Sequence, residues 1–303
     1  MSLELIKKLR ETTGCGIADC NKALKANDNN VEKSVDWLRT KGLSSAGKKS
    51  GRITSEGAVC VYKFSDTKMS VVEVNSETDF VAKNDKFQNF TKKIAELAIN
   101  FGDDVEAFTK SNFSESATVE DEVKNQIAVI GENLSIRRIS ALEVSKGAVI
   151  NYIHNATAPN IGKIAVLVAL ESDASVDKLE EIGKQIAMHI AAAKPEALNI
   201  ESVSSEKLSR ESEVLKEQAR ASGKPESIIE KMIQGRIRKY YEEVVLLEQN
   251  FVMDDKQKIK DLIADFSKEN GATKISSYKL FILGEGIEKK EDDFAAEVAS
   301  MTK

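Results

Sequence analysis

The amino-acid sequence predicts an α+β protein with long helices. Its 303 residues are too many for one ordinary domain, and this length favours about two or three. At Gly57 the spacing of apolar residues changes from the 3.6-residue period of a helix to the two-residue period of a strand. The chain holds only 3 prolines, where average usage would give about 15, so long uninterrupted helices are permitted.

Composition narrows the classes of protein to which the chain can belong. Its 44 Lys and Arg against 49 Asp and Glu give a net charge of −5, which argues against a dedicated nucleic-acid binder. The 2 histidines and 3 cysteines leave most enzyme mechanisms short of groups, so we predict no enzyme, no cofactor and no metal. No signal peptide is recognised at the start, and no run approaches the roughly 20 apolar residues of a membrane span. We therefore expect a cytoplasmic protein that acts away from membranes.

Three short helices are predicted within residues 1–43, each with one apolar face. Thr13-Gly14 and residues 27–30 supply stop and cap signals between these helices. The small, polar and basic residues 44–52 are interpreted as a linker. The three apolar faces consist of Leu3, Ile6 and Leu9; of Ile17, Cys20, Ala23 and Leu24; and of Val31, Val35 and Leu38.

A mixed core is predicted from Gly57 onwards. Two alternating segments at 59–64 and 69–74, separated by Ser65-Asp66-Thr67, predict a β-hairpin. A helix capped by Asn84 follows, with an apolar stripe of Phe87, Phe90, Ile94, Leu97 and Phe101. The remaining core elements are predicted as a helix at 118–131, strands near 134–145, 147–154 and 162–170, and a helix at 175–193 closed by Pro195.

Residues 203–245 have a different pattern, in which charged residues dominate and the apolar seam is narrow. Because Ser222-Gly223-Lys224-Pro225 interrupts this seam, we predict a helical hairpin that protrudes as an antiparallel coiled coil. A helix near 256–269, a strand near 273–283 and an amphipathic tail helix complete the prediction.

The enzymatic alternatives are weak. Residues 42–49 nearly match a phosphate-binding loop, but Lys49 replaces the Mg²⁺-binding hydroxyl and a helix precedes the loop where a strand is needed. Cys15 and Cys20 lack a metal-ligand spacing and are interpreted as small buried thiols. His189 shares a helix face with apolar residues, so a packed histidine is favoured. His154 ends a strand, where a contact residue and a structural one are equally plausible.

The segment Ser76-Glu77-Thr78-Asp79-Phe80-Val81-Ala82-Lys83-Asn84 joins a strand to a helix and admits two interpretations. In the first, which composition favours, Thr78 or Asp79 caps a helix and Phe80 packs beneath it. In the second, Asp79 and Phe80 project into a partner, as interface anchors do.

Seven motifs, in order along almost the whole chain, resemble the elongation factor Ts family of bacteria. Thr-Asp-Phe-Val at 78–81 resembles the central motif of the family. The others are Leu9-Arg10 with Thr13-Gly14-Cys15-Gly16 and Asp19-Cys20, then Ile130-Gly131-Glu132-Asn133, Ile136-Arg137-Arg138, Ile186-Ala187-Met188-His189 with Lys194-Pro195-Glu196, Phe251-Val252-Met253, and residues 284–289.

The resemblance implies a guanine-nucleotide exchange factor for the GTPase elongation factor Tu, with no covalent chemistry of its own. It implies that Asp79 and Phe80, with Thr78 and Val81, enter the GTPase near its nucleotide and displace Mg²⁺. The resemblance implies further contacts at Arg10, Ile17, Ile130, Gly131, His154, Val252 and Met253.

The resemblance also implies a domain organisation. It consists of a three-helix UBA-like domain with its basic linker at 1–54, core subdomains at 55–146 and at 147–199 with 246–285, a coiled-coil insertion at 200–245, and a C-terminal helical module at 286–303. Ala18, Asn21 and the longer loop at 155–160 depart from the family pattern. A non-catalytic adaptor that uses its helical unit and coiled coil remains the alternative function, and a complex of two Tu and two Ts chains is open.

Overall fold

A computed structural model describes residues 3–13, 15–220 and 226–288 of the chain. Within them the protein is a mixed α/β structure with helices at its N-terminal end. The helices are α1 Leu3–Thr13, α2 Ile17–Ala26, α3 Val31–Lys49, α4 Asp79–Ala82, α5 Asp85–Leu97, α6 Val105–Lys110, α7 Val119–Ile130, α8 Val176–Ala193, α9 Ser205–Arg220, α10 Glu226–Val244 and α11 Ile259–Asn270. The strands are β1 Glu56–Ser65, β2 Lys68–Ser76, β3 Asn112–Ser114, β4 Ala117–Thr118, β5 Leu134–Glu143, β6 Gly147–His154, β7 Ile161–Gly162, β8 Ile164–Ser172, β9 Asn250–Phe251, β10 Asp254–Lys258 and β11 Thr273–Ile282.

Two antiparallel sheets form the centre of the molecule. The first has the strand order β5-β2-β1-β7 and the second has the order β11-β8-β6. The sheets pack face to face, because side chains of both enter one buried apolar cluster that includes Val61, Val71, Leu142, Val149, Leu167 and Phe281. The predicted hairpin and the predicted long strands are therefore confirmed, and burial on both faces explains why the sequence of β8 is almost continuously apolar.

Helices cover the outer face of each sheet. The first sheet packs against α4, α5 and α7 through a cluster that contains Cys60, Val72, Phe87, Ile94 and Ile127. The second sheet packs against α8 and α11 through Val168, Leu170, Ile186, Ile190 and Ile263. Asn84 caps α5 as predicted, since its side-chain oxygen accepts the amide of Lys86 at 2.9 Å.

The N-terminal helices pack on α7. Leu9, Cys20, Leu24 and Leu38 form their shared core, against which Val129 of α7 also packs. Two predicted apolar positions are wrong: Leu3 is 85% exposed and Ile17 is 57% exposed. Each is the first residue of its helix, and the buried residues of that helix lie further along the chain.

The predicted linker at 44–52 is also wrong over most of its length, because α3 continues without a break to Lys49. Close packing explains the continuation: a methyl group added at Gly42 would lie 2.8 Å from the side chain of Ala128 on α7. Tertiary contact has therefore overridden the small, polar composition of this stretch. Since residues 42–49 are helical, the phosphate-loop interpretation is excluded as well.

A buried ion network joins the two sheets near the end of β11. The fully buried carboxylate of Glu73 accepts hydrogen bonds from Arg137 at 3.2 Å, from Arg138 at 2.5 Å and from the backbone amide of Gly284 at 2.8 Å. These residues come from β2, β5 and the turn after β11, so the network ties together three distant parts of the sequence.

The predicted helical hairpin is present as α9 and α10, which contact each other. Its turn at 221–225 lies outside the described residues. The helix predicted near 256–269 begins only at Ile259, because residues 254–258 form β10 opposite β9. Residues 286–288 of the predicted C-terminal helical module are not helical, and its residues 289–303 lie outside the described part of the chain. Within 3–13, 15–220 and 226–288, the protein contains no helix with the length and apolar character needed to cross a membrane.

Candidate functional site

The connection between β2 and α5 presents a large apolar side chain to solvent. Here α4 is a single turn, and its residues Val81 and Ala82 are buried against the first sheet, whereas Phe80 is 77% exposed. The interpretation in which Phe80 packs beneath the helix is therefore wrong. An exposed phenylalanine on a buried support is the arrangement that an interface anchor requires, and its insertion into a partner stays a prediction.

Asp79 lies beside Phe80 at the start of α4. Its carboxylate is 3.6 Å from the ammonium group of Lys83, which also lies 6.0 Å from the ring centre of Phe80. Because Asp79 and Lys83 are both well exposed, this pair contributes little to stability, and Asp79 can exchange Lys83 for a group on a partner.

Two carboxylates hold the chain just before Asp79. Glu132 follows α7, and its carboxylate accepts two hydrogen bonds from Thr78. One oxygen accepts from the Thr78 amide at 2.9 Å, and the other accepts from the Thr78 hydroxyl at 2.7 Å. The carboxylate of Glu77 accepts a hydrogen bond from the backbone amide of Asn133 at 2.6 Å. The two segments are 54 to 56 residues apart in sequence, yet they exchange hydrogen bonds in both directions.

The segment that carries Ile130 and Gly131 is itself supported by the end of α3. Gly131 ends α7 in the left-handed conformation, with φ of 92°. Its carbonyl accepts a hydrogen bond from the ammonium group of Lys49 at 2.5 Å. The side chain of Asn133 donates to the carbonyl of Arg52 at 2.9 Å. The structure thus brings the predicted site residues at 78–81 and at 130–131 together, whereas Arg10 and Ile17 lie on α1 and α2 of the N-terminal helical unit.

Three predicted contact residues lie in the second half of the molecule. His154 ends β6 in an exposed position, where its ring Nδ1 is 3.0 Å from the hydroxyl of Tyr152. Val252 and Met253 form the turn between β9 and β10, and they are 51% and 53% exposed. This turn is a second place where neighbouring apolar side chains face solvent.

A buried histidine supports the turn at 252–253. His189 is fully buried on α8, as predicted for a packed histidine, and its Nδ1 accepts the backbone amide of Val252 at 3.3 Å. Since Nδ1 accepts, Nε2 carries the proton and donates to the Gln249 side-chain oxygen at 2.9 Å. Burial lowers the pKa of His189, so the imidazole is neutral at neutral pH.

The thiols are buried, as expected for Cys15 and Cys20, and none of the three cysteines forms a disulfide. Burial raises the pKa of the Cys60 thiol to about 12, so this group is protonated and unreactive at neutral pH. In the part of the chain that the structure describes, no cluster of His, Cys, Asp or Glu is suited to hold a metal ion.

Sequence reasoning missed the groups that support the exposed residues. Glu77 and Glu132 lie inside the quoted motifs, but only the fold shows that each reaches the other's segment. The signal available in the sequence was the presence of a carboxylate directly before Thr78 and directly after Gly131. For His189, the sequence indicated burial and gave no sign of its contact with Val252, 63 residues away.

A mixed α/β structure that presents exposed apolar side chains on well-supported turns is typical of proteins that act through contacts with another macromolecule. Residues 77–285 of the chain match the family model described as Elongation factor TS. The chain is 55% identical over 303 residues to elongation factor Ts of Rhodospirillum centenum. This match covers 99% of this chain and 98% of the relative. It is 52% identical over 302 residues to elongation factor Ts of Paramagnetospirillum magneticum, a match that covers 99% of this chain and 96% of the relative. It is 51% identical over 296 residues to elongation factor Ts of Gluconobacter oxydans, a match that covers 98% of this chain and 96% of the relative. The chain therefore belongs to the elongation factor Ts family of translation elongation factors.

Proposed function

We propose that this protein is a guanine-nucleotide exchange factor for the GTPase elongation factor Tu. It binds the GDP form, accelerates the release of GDP and performs no covalent chemistry itself. The observation that carries this proposal is the exposure of Phe80 on α4, at 77%, within the motif by which the chain resembles its family. Val81 and Ala82 of the same turn are buried, and Thr78 before it is hydrogen-bonded to Glu132, so the exposed ring of Phe80 stands on a fixed support.

In the proposed mechanism Phe80 inserts close to the nucleotide site of the GTPase, and Asp79 engages a polar or basic group beside it. Because Mg²⁺ neutralises much of the charge of the diphosphate, a disturbance of the Mg²⁺ site weakens the retention of GDP. Linkage then requires that GDP and the exchange factor weaken each other's binding by the same factor. Exchange is consequently reversible, and fresh nucleotide expels the factor.

The remaining contacts would extend this interface over both halves of the molecule. They are Thr78, Val81, Arg10, Ile17, Ile130, Gly131, His154, Val252 and Met253. The division into a UBA-like domain, two core subdomains, a coiled-coil insertion and a C-terminal module belongs to the same proposal, as do cytoplasmic action without direct nucleic-acid binding and a complex of two Tu and two Ts chains.

The test compares two exposed phenylalanines. Release of labelled GDP from elongation factor Tu is measured with the wild-type chain, with Phe80→Ala and with Phe64→Ala, a control whose ring on β1 is 64% exposed. We expect Phe80→Ala to lower the catalysed rate at least about tenfold, since a central aromatic anchor commonly contributes more than about 1.4 kcal/mol. Phe64→Ala should release GDP at the wild-type rate.

The same assay separates the adaptor alternative. An adaptor would bind the GTPase without accelerating GDP release. If the wild-type chain binds and release stays at the spontaneous rate, the exchange function is wrong. If Phe80→Ala and Asp79→Ala both retain the full rate, the function stands and the assignment of the inserted pair is wrong.

A further inference from the structure

We infer that Glu132 is a positioning residue, which holds the segment before Asp79 so that Phe80 is presented in the orientation required for nucleotide release. The inference rests on the proposed exchange function and goes beyond it, because Glu132 acts through Thr78 and itself need not touch the partner.

The need for such a support follows from the length of α4. A helix of four residues has no stability of its own, since helix nucleation is unfavourable and isolated helices shorter than about 12 residues are marginal. Thr78 occupies the N-cap position, yet its side chain makes no capping hydrogen bond to α4. Its hydroxyl is turned to Glu132 instead. External contacts must therefore keep this turn in place.

All the polar groups of Thr78 are occupied by the protein. Its amide and hydroxyl both donate to the carboxylate of Glu132, at 2.9 and 2.7 Å, and its carbonyl accepts the hydroxyl of Ser76 at 2.9 Å. Hydrogen bonds to an ionised carboxylate are about twice as strong as bonds between neutral groups. Thr78 is consequently anchored two residues before Phe80.

The backbone that carries Glu132 is anchored in turn. On one side, the carbonyl of Gly131 accepts Lys49; on the other, the side chain of Asn133 donates to the carbonyl of Arg52 at 2.9 Å. Asn133 is 6% exposed, so its bond to Arg52 lies largely away from competing water, whereas the bond from Lys49 is exposed. The residues on both sides of Glu132 are therefore held by hydrogen bonds, and its carboxylate can fix the position of Thr78.

The charge of Glu132 is essential to this arrangement. Both of its oxygens accept from Thr78, and an amide of the same shape offers only one acceptor together with an NH₂ donor. In Glu132→Gln, the amide oxygen can still accept the Thr78 N–H, while the NH₂ group faces the Thr78 hydroxyl, which must rotate and accept instead of donating. The substitution preserves volume and replaces two bonds to a charged carboxylate by weaker bonds between neutral groups.

The experiment measures the rate of GDP release from elongation factor Tu as a function of exchange-factor concentration. We expect Glu132→Gln to lower the maximal rate about tenfold and to change the half-saturating concentration by less than about twofold, because the loss falls on orientation and the other contacts keep their affinity. The matched control is Glu120→Gln, at the start of α7, where the carboxylate pairs with exposed Lys124 and has no contact with the turn. It should behave as the wild type.

Thr78 supplies the second arm. Thr78→Val removes the hydroxyl that donates to Glu132 and should lower the maximal rate further than Thr78→Ser, which keeps that hydroxyl. The double variant Glu132→Gln with Thr78→Val should lose less than the sum of the two single losses, since both changes weaken the bond between the Thr78 hydroxyl and Glu132. Additive losses would contradict the inference.

Amide exchange in the free protein tests the anchor without the GTPase. Exchange at the Thr78 amide should be at least about fivefold faster in Glu132→Gln and unchanged in Glu120→Gln. If it is unchanged in Glu132→Gln, or if that variant keeps the full maximal rate while Phe80→Ala loses it, Glu132 is not a positioning residue. A wild-type chain that fails to accelerate release overturns the exchange function itself, and with it the role assigned to Glu132.

Discussion

Two turns of the molecule present apolar side chains to solvent, and they are supported in different ways. The α4 turn carries Phe80 and is held by the carboxylates of Glu77 and Glu132, which are partly exposed. The β9–β10 turn carries Val252 and Met253 and is held from below by the fully buried imidazole of His189. One turn thus depends on charged acceptors near the surface and the other on a neutral acceptor in the core.

The difference follows from the cost of burying charge. A carboxylate at the surface keeps part of its hydration and still makes strong bonds to N–H and O–H donors. His189 is fully buried beside the neutral groups of Gln249 and Val252, so burial favours its neutral form. Protonation of His189, which burial shifts below its ordinary pKa of about 6.5, removes the acceptor that holds the second turn. Four predictions test the contrast between the two turns.

The largest effect is expected from His189→Ala. The change removes a buried ring together with its hydrogen bonds to Val252 and Gln249, and it should lower the free energy of unfolding by about 3 kcal/mol. Chemical denaturation measures the loss. The control is His154→Ala, which removes the exposed histidine and should stay within about 0.5 kcal/mol of the wild type. Equal losses in the two variants would show that His189 has no special role.

The second effect is a dependence of stability on pH. Because burial lowers the pKa of His189, the folded protein resists a proton that the unfolded chain accepts below a pKa of about 6.5. The contribution of this group is fully present above pH 7 and decreases as pH falls through about 6.5, by at most about 1.4 kcal/mol per pH unit. Unfolding free energies of the wild type and His189→Gln between pH 7.5 and 5.5 measure it. Parallel curves would contradict the assignment.

A smaller effect is expected at the base of the α4 turn. Gly131 has φ of 92°, and no atom lies within 4 Å of an added methyl group, so Gly131→Ala tests backbone conformation alone. The variant should lose about 1 kcal/mol of unfolding free energy. Gly235→Ala, in the interior of α10 and equally free of neighbouring atoms, serves as the control and should be neutral or slightly stabilising.

The smallest effect is expected from the exposed side chains of the second turn. Val252→Ala and Met253→Ala should each change the unfolding free energy by less than about 0.5 kcal/mol, since both side chains are half exposed. Under the proposed function, each should raise the half-saturating concentration for GDP release about two- to fivefold and leave the maximal rate unchanged. Val214→Ala on α9, with a comparable exposure of 45%, is the control. A lower maximal rate in either variant would place this turn in the same role as Phe80.

The secondary structure was predicted from sequence where one local pattern decides it. The hairpin of β1 and β2 and the cap at Asn84 are confirmed, because hairpin formation and helix capping depend on residues close in sequence. The linker at 44–52 failed since its composition suits a loop in isolation, and contact between Gly42 and α7 made most of it helical. The preferred interpretation of Phe80 failed for a similar reason, since the beneath-helix position is filled by Val81 and Ala82.

The sequence by itself determined the mixed architecture, the order of the elements and, through its motifs, the family. Only the tertiary structure decided which distant segments support the exposed side chains. Glu132 lies 54 residues from Thr78, and His189 lies 63 residues from Val252. The physical reason is that periodicity and capping act within a few residues, whereas a hydrogen bond between two remote segments exists only after the sheets and helices have packed.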